Sequence, residues 1–309
     1  MLDQEISRRV YPFFSIIIPS YHSGQTLPDT LNSVFRQTFQ NWQLIVCDDG
    51  TADFDKEALE RKIQEQLPTR CTAAVLCQPQ NIGTVRNLNT ALRKATGQWV
   101  LLLAADDLLA ETETLERLAA TAADTANPWI VSQTELCDAD LRHTGKFSPA
   151  NIEMLRGNTA AELYEKLCMS CIFPSSGNLY RRALLEDLGG FDEGYRLVED
   201  WPLFLKLTRA GITPELCDAV SVLHRGGGVS GSNAARNRTY QRDLIETMRR
   251  EILPHLEGIP EKKRIAIRRR CEDKMAIYEY RFERSGFCLR LKWLLLHGDV
   301  VIRKLMERV

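Results

Sequence analysis

Apolar and polar positions alternate in short, regular blocks through the first third of the chain. Phe14-Ser-Ile-Ile-Ile18 is a nearly continuous apolar run of strand length that stops at Pro19. A loop, Ser20-Tyr-His-Ser-Gly24, precedes Leu27, Leu31, Val34 and Phe35, which recur at helical spacing. Gln43-Leu-Ile-Val-Cys47 predicts a second strand, ending at Asp48-Asp-Gly-Thr51. A helix over Glu57 to Gln66, closed by Pro68, and a third strand at Thr72-Ala-Ala-Val-Leu76 follow. Asn81-Ile-Gly83 opens a helix through Arg86, Leu88, Leu92 and Ala95, which Gly97 terminates. Trp99-Val-Leu-Leu-Leu-Ala-Ala105 is the fourth strand, and it ends at two adjacent acids, Asp106 and Asp107. Strand and helix alternate through short links, so the expected arrangement is a mostly parallel sheet with helices on both faces.

The pattern loosens afterwards. Trp129-Ile-Val-Ser132 and Ala219-Val-Ser-Val-Leu223 read as strands, Gly189-Gly-Phe-Asp192 as a turn and Asp200 to Ala210 as a helix. Residues 138–158, with Gly145, Pro149 and Gly157, read as a loop. From Ala234 the signal is helical to the end, broken by Pro254, Gly258-Ile-Pro260 and Gly286.

Net charge over the 309 residues is −1, which by itself points to no partner. Its distribution is uneven. Residues 1–224 carry 20 Lys and Arg against 30 Asp and Glu, whereas residues 225–309 carry 20 against 11. That division suggests a catalytic unit over 1–231 and a basic helical extension over 232–309. Nine scattered cysteines form no framework, and Cys168-Met-Ser-Cys171 has no second pair to complete a zinc site. No apolar run is long enough to span a bilayer, and the first thirteen residues lack the apolar stretch of a signal peptide. The expected location is the cytoplasm.

Three predicted strand ends carry polar groups on one side of the sheet: Pro19-Ser-Tyr21, Asp48-Asp49 and Asp106-Asp107. Open α/β sheets place ligands there. Adjacent carboxylates repel unless a cation or donor offsets them, and Mg²⁺ or Mn²⁺ carrying a diphosphate suits such a pair. A helix cap and a solvated neighbour would also account for it. Asp49 can accept from a base N–H, or serve only as turn chemistry before Gly50. Arg86 can reach a base, ribose or phosphate, or simply be an exposed helix arginine. Asp200, beside Glu199 at a helix start, is a cap or a general base. His224, at the end of the last strand, is a candidate metal ligand with Asp107. Gly226-Gly-Gly228-Val-Ser-Gly231 matches a dinucleotide fingerprint only formally, since no βαβ unit follows; a loop closing over a diphosphate, with Ser230 as donor, fits better. No Walker lysine motif and no G-x-S-x-G occur.

The ordered set Ile16-Ile-Ile-Pro-Ser-Tyr21, Leu44-Ile-Val-Cys-Asp-Asp-Gly-Thr51, Asn81-Ile-Gly83 with Arg86-Asn87, Gly97 before Trp99 to Asp107, Gly189-Gly-Phe-Asp-Glu193, Glu199-Asp-Trp201, His224-Arg225 and Ser230 resembles family 2 glycosyltransferases of GT-A fold. The resemblance covers residues 13 to 231. It implies an inverting hexosyl or N-acetylhexosaminyl transfer from a nucleotide diphosphate sugar, a UDP-sugar first, in polysaccharide or glycan assembly. By position it puts Asp49 on the uracil-like ring, Arg86 near the base, Pro19 and Tyr21 along the nucleotide and Asp106 near the ribose. Asp107 would bind Mg²⁺ or Mn²⁺ with His224 as a second ligand, and Asp200 would deprotonate the acceptor. The chain departs from the family at Ala104, where many relatives carry a further acid, and that puts metal affinity in question. The rivals are a nucleotidyltransferase, which needs a basic glycine-rich loop after strand one that Ser20–Gly24 is not, and a catalytically silent partner that binds nucleotide and membrane.

The basic tail alternates Arg268-Arg-Arg270, Arg290 and Lys292 with Phe287, Leu289, Leu291, Trp293 and Leu294-Leu-Leu296. Such a helix can lie on an anionic bilayer, which suits a lipid-linked acceptor and a peripheral place at the inner face of the cell membrane. Equally, its apolar face can pack on the catalytic unit or on a second copy in a homodimer. Nucleic acid is not expected, because no stacking-aromatic motif accompanies the charge.

Overall fold

The computed structural model describes residues 12–138, 140–146, 155–226, 234–284 and 286–306. The strands are β1 (Phe14–Ser20), β2 (Trp42–Asp48), β3 (Thr72–Cys77), β4 (Trp99–Leu102), β5 (Leu108–Leu109), β6 (Trp129–Cys137), β7 (His143–Lys146), β8 (Asn178–Arg181) and β9 (Glu215–Arg225). They form one sheet in the order β3-β2-β1-β4-β8-β6-β9-β5, with β7 on β6. The pairings among β3, β2, β1 and β4 are parallel, as the alternation of strand and helix predicts. Beyond β4 the sheet is mixed. β8 runs antiparallel to both β4 and β6, β9 lies parallel to β6, and β5 closes the edge antiparallel to β9.

The helices joining the parallel strands are α1 (Leu27–Phe35), α2 (Lys56–Gln66) and α3 (Thr84–Leu92), followed by α4 (Thr114–Asp124), α5 (Ala160–Met169), α6 (Arg182–Asp187) and α7 (Asp200–Arg209). Local signals set their starts. Asp55 caps α2 by accepting from the Ala58 N–H at 2.8 Å, and Thr159 with Glu162 forms a capping box on α5. Gly97 lets β4 enter against β1. A Cβ there would lie 2.4 Å from the Ser15 nitrogen, and the Gly97 N–H donates to Ser15 Oγ at 2.8 Å.

One element is shorter than expected. β4 leaves the sheet after Leu102, and Ala104 to Asp107 form a turn in which the Asp107 N–H donates to the Ala104 carbonyl at 3.0 Å. The apolar residues that prolong the run, Leu103 and Ala105, are still buried, but as turn residues between β4 and the two-residue β5. Hydropathy alone cannot separate those states. The 138–158 region likewise contains a strand, β7, although residues 147–154 lie outside those described. So do residues 227–233, which hold most of the glycine-rich segment and Ser230.

The extension is helical and broken where the sequence indicates. It consists of a 3₁₀ turn at Ala234–Arg236, α8 (Arg238–Thr247), a π-helical turn at Met248–Ile252, a 3₁₀ turn at Leu253–His255, α9 (Glu261–Tyr278), a second π-helical turn at Glu279–Glu283 and α10 (Phe287–Met306). Ile245, Met248, Ile252, Leu256, Ile267 and Cys271 are buried in one cluster with Val85, Leu88, Leu163, Trp201 and Phe204 of the sheet-flanking helices. α10 packs through Trp293 and Val300 on Ala276, while Phe287, Leu291, Leu295 and Ile302 stay exposed. α10 thus packs on α9 of the extension, with a break from helical backbone at His297. Among the described residues no helix is long and apolar enough to cross a membrane. All nine cysteines are free, and Cys77 and Cys288 are the exposed ones.

Candidate active site

The turn after β4 holds the acid pair. Asp107 is fully buried. Its Oδ1 lies 2.8 Å from His224 Nδ1 and accepts from the Arg225 N–H at 3.2 Å, and its Oδ2 accepts from Ser176 Oγ. Three donors satisfy most of a carboxylate's accepting capacity, so the side chain is fixed in place. Its partner acid is less provided for. Asp106 is partly buried, and burial first, then the Asp107 charge, pushes its pKa up. The hydrogen bond to Asp107 outweighs burial at His224 and raises its pKa. β9 brings His224 and Arg225 to the turn, and Arg225 is tied back to α1 by Asp29 at 3.0 Å.

A hard divalent ion would meet a carboxylate and an imidazole here, with His224 Nδ1 giving up its proton and its bond to Asp107. A cation would also offset the repulsion that raises Asp106. Among the described residues no three His, Cys, Asp or Glu side chains converge, so phosphate oxygens and water would complete its shell.

A second group lies at the ends of β1 and β2. Asp49 is 4% exposed. Its carboxylate accepts from the Ile82 N–H at 2.7 Å, the Gly83 N–H at 2.9 Å and Asn81 Nδ2 at 2.8 Å. Burial raises its pKa while these N–H groups and Arg196 pull the other way. Asp49 is thus the clasp of the turn that opens α3. On that helix Arg86 faces Glu193, with 3.4 Å between Nε and Oε2. Pro19 lies within β1, in register with Cys47, and Tyr21 stands exposed just beyond it, its ring against His22 at 4.1 Å.

Arg196 closes over the same turn. Its guanidinium donates to Asn81 Oδ1 at 2.6 Å and to the Asn81 carbonyl at 3.1 Å, and its own carbonyl accepts from the Val85 N–H at 3.2 Å. Gly83 permits the approach, because a Cβ there would sit 2.5 Å from Arg196 Cγ and the φ of +93° suits glycine.

The third group begins α7, four residues after Arg196. Asp200 Oδ1 accepts from the Trp201 N–H at 2.6 Å. Burial raises the Asp200 pKa, and burial together with the Asp200 charge lifts Glu199 to about 8. Burial and the neighbouring charge thus favour a proton on Glu199 at neutral pH. Cys171 and Tyr180 both feel the Asp200 charge, while Ser176 between them bonds Asp107.

Sequence reasoning missed Ser176, Glu193 and Arg196. Only Glu193 lay within a motif string. Ser176 and Arg196 become visible once β8 and α7 are packed.

The profile of glycosyl transferase family 2 matches residues 15–189. The chain is 27% identical over 224 residues to a PGL/p-HBAD biosynthesis glycosyltransferase of Mycobacterium tuberculosis, covering 72% of this chain and 80% of that one. It is 27% identical over 166 residues to the Escherichia coli UDP-Glc:alpha-D-GlcNAc-diphosphoundecaprenol beta-1,3-glucosyltransferase WfgD, covering 51% and 55%. In three dimensions it resembles S. aureus TarS in complex with UDP-GlcNAc, with TM-score 0.61, 20% identity and coverage of 93% and 80%. It also resembles the mannosyltransferase PcManGT from Pyrobaculum calidifontis in complex with GDP-Man and Mn²⁺, with TM-score 0.54, 18% identity and coverage of 95% and 81%. The fold is therefore the GT-A fold with a helical C-terminal region.

Proposed function

The chain belongs to glycosyl transferase family 2, and from that premise we propose that it is a metal-dependent, inverting enzyme. It moves a hexosyl or N-acetylhexosaminyl group from a UDP-sugar to an acceptor hydroxyl in polysaccharide or glycan assembly. The observation that carries this reading is the Asp107–His224 pair, 2.8 Å apart beside Asp106 at the end of β4. Asp107 and His224 would hold Mg²⁺ or Mn²⁺. That ion supplies neutralisation of the charge that develops on a departing diphosphate.

The chain's own residues do the rest. Asp106 faces the ribose. Asp49 holds the Asn81–Gly83 turn against the base, with Arg86 beside it and Pro19 and Tyr21 along the nucleotide. Asp200 takes the acceptor proton, and Glu199, lifted to about 8 by burial and by Asp200, stays neutral next to it near pH 7. Residues 1–231 are the catalytic unit. The extension over 232–309 meets the acceptor's surroundings. A lipid-linked acceptor fits the exposed Phe287, Leu291 and Leu295 of α10 with Arg290 and Lys292 between them, which would place the enzyme on the inner face of the cell membrane.

The test is a thermal-shift panel of UDP-, GDP-, CMP- and dTDP-sugars with and without Mn²⁺, followed by transfer assays. A donor at 100 times its Kd stabilises the protein by about 2.7 kcal/mol. Asp200→Asn is expected to lose about 100-fold or more in kcat with donor binding retained. Full transfer by Asp200→Asn would remove the base assignment. Donor binding without turnover by the unaltered chain would mark it as catalytically silent.

A further inference from the structure

We propose that Asp243, in the helical extension, is a positioning residue for the catalytic base: its carboxylate fixes the Arg196–Val198 segment from which Glu199 and Asp200 project. This rests on Asp200 being the base.

Asp243 is 4% exposed, on α8. Its Oδ2 accepts from three successive backbone N–H groups, Arg196 at 2.9 Å, Leu197 at 2.6 Å and Val198 at 3.2 Å. Successive N–H groups converging on one point form an anion-holding nest. The start of α7 makes no side-chain cap of its own through Glu199, so a carboxylate from a different element binds the chain just before the helix. The segment is held from the other side too, since Arg196 bonds Asn81 and Val85 of the turn that Asp49 clasps. Asp49, the turn, Arg196 and Asp243 make one continuous set of contacts from the donor end of the sheet to the base. The support is rigid. Ile245 and Met248 on either side of Thr247 are buried, and the Thr247 hydroxyl donates to the Asp243 carbonyl at 2.9 Å.

A base misplaced by about 1 Å costs on the order of 100-fold. Asp243→Ala is therefore expected to lower kcat by about 10- to 100-fold, with the donor Kd unchanged. Asp243→Asn keeps an accepting oxygen in the same place and should recover most of that loss. Should Asp243→Ala fail to fold, Asp243→Asn still reads the effect as an intermediate kcat at full donor binding. Activity is expressed per site titrated with Mn²⁺ and UDP, so that a smaller folded fraction does not pass for slower chemistry.

Arg250→Ala is the control. It breaks another joint between the extension and the same region, the 2.7 Å pair with Asp192. It should lower the melting temperature and leave kcat per titrated site unchanged. Unchanged kcat per site in both Asp243 variants, or a loss matched by Arg250→Ala, would overturn the proposal. Asp200→Asn is assayed in parallel. Full turnover there removes the base assignment itself, whatever the Asp243 variants do.

Discussion

Replacing Asp49 by alanine separates two roles that its position would otherwise confound. A residue that only reads the base contributes nothing to the protein without nucleotide. A residue that clasps Asn81, Ile82 and Gly83 contributes to folding whether or not a ligand is bound. Its three accepted hydrogen bonds, at 2.8, 2.7 and 2.9 Å, involve an acid that is 4% exposed. Hydrogen bonds to a charged group are worth about 1.5–3 kcal/mol each, and the desolvation that raises the Asp49 pKa takes back a large part. The net loss for Asp49→Ala is then about 2–4 kcal/mol. For 309 residues, at about 2 cal/mol/K of unfolding entropy per residue, that is a fall of roughly 3–6 °C in Tm. The assay is thermal unfolding with no nucleotide present, together with amide exchange at Ile82 and Gly83, which should accelerate. An unchanged nucleotide-free Tm with UDP affinity lost would refute the clasp and leave Asp49 as a reader of the ligand alone.

Two other outcomes follow from the site and the tail. Glu199 titrates near 8 in the folded protein, against an ordinary 4.5, so its neutral form favours folding fully below about 4.5 and that contribution is lost as pH rises through about 8. The melting temperature of the native chain should accordingly fall more steeply between pH 5 and 8 than that of Glu199→Gln, and parallel curves would contradict the assignment. At the tail, Phe287 and Leu295 are each 80% exposed. The chain should float with anionic vesicles and much less with neutral ones, and Leu291→Glu with Leu295→Glu should abolish the difference. Equal recovery with both lipids would rule out the charged surface as partner.

The parallel half of the sheet was legible because each of its strands is a short apolar block closed by turn chemistry. Helices with apolar positions at Leu27, Leu31 and Val34, or at Val85, Leu88 and Leu92, separate these blocks. The mixed half was harder. β6, β8 and β9 have buried positions on both faces, and nothing local tells a strand which neighbour or direction it will take. The acid pair was visible, but its setting was not. Ser176 is a serine in a Pro-Ser-Ser-Gly loop, and only the antiparallel β8 carries it to Asp107. Asp243 left no trace, because it is one of two acids in a helix that also carries Arg238 and Arg242, and nothing local marks it as the one that is buried.

The way the extension is buried bears on how small a working piece of this protein can be made. Every described strand lies before residue 226, so truncation near 231 looks harmless on paper. Yet Ile245, Ile252, Leu256, Ile267 and Cys271 cover apolar side chains of α3, α5 and α7. Cutting them away would strip the underside of the helices that carry Arg86 and Asp200, exposing a greasy seam beneath the proposed donor and base sites. Autonomy thus begins only once α9 is included, and swapping tails between related enzymes would have to exchange that inner lining as well.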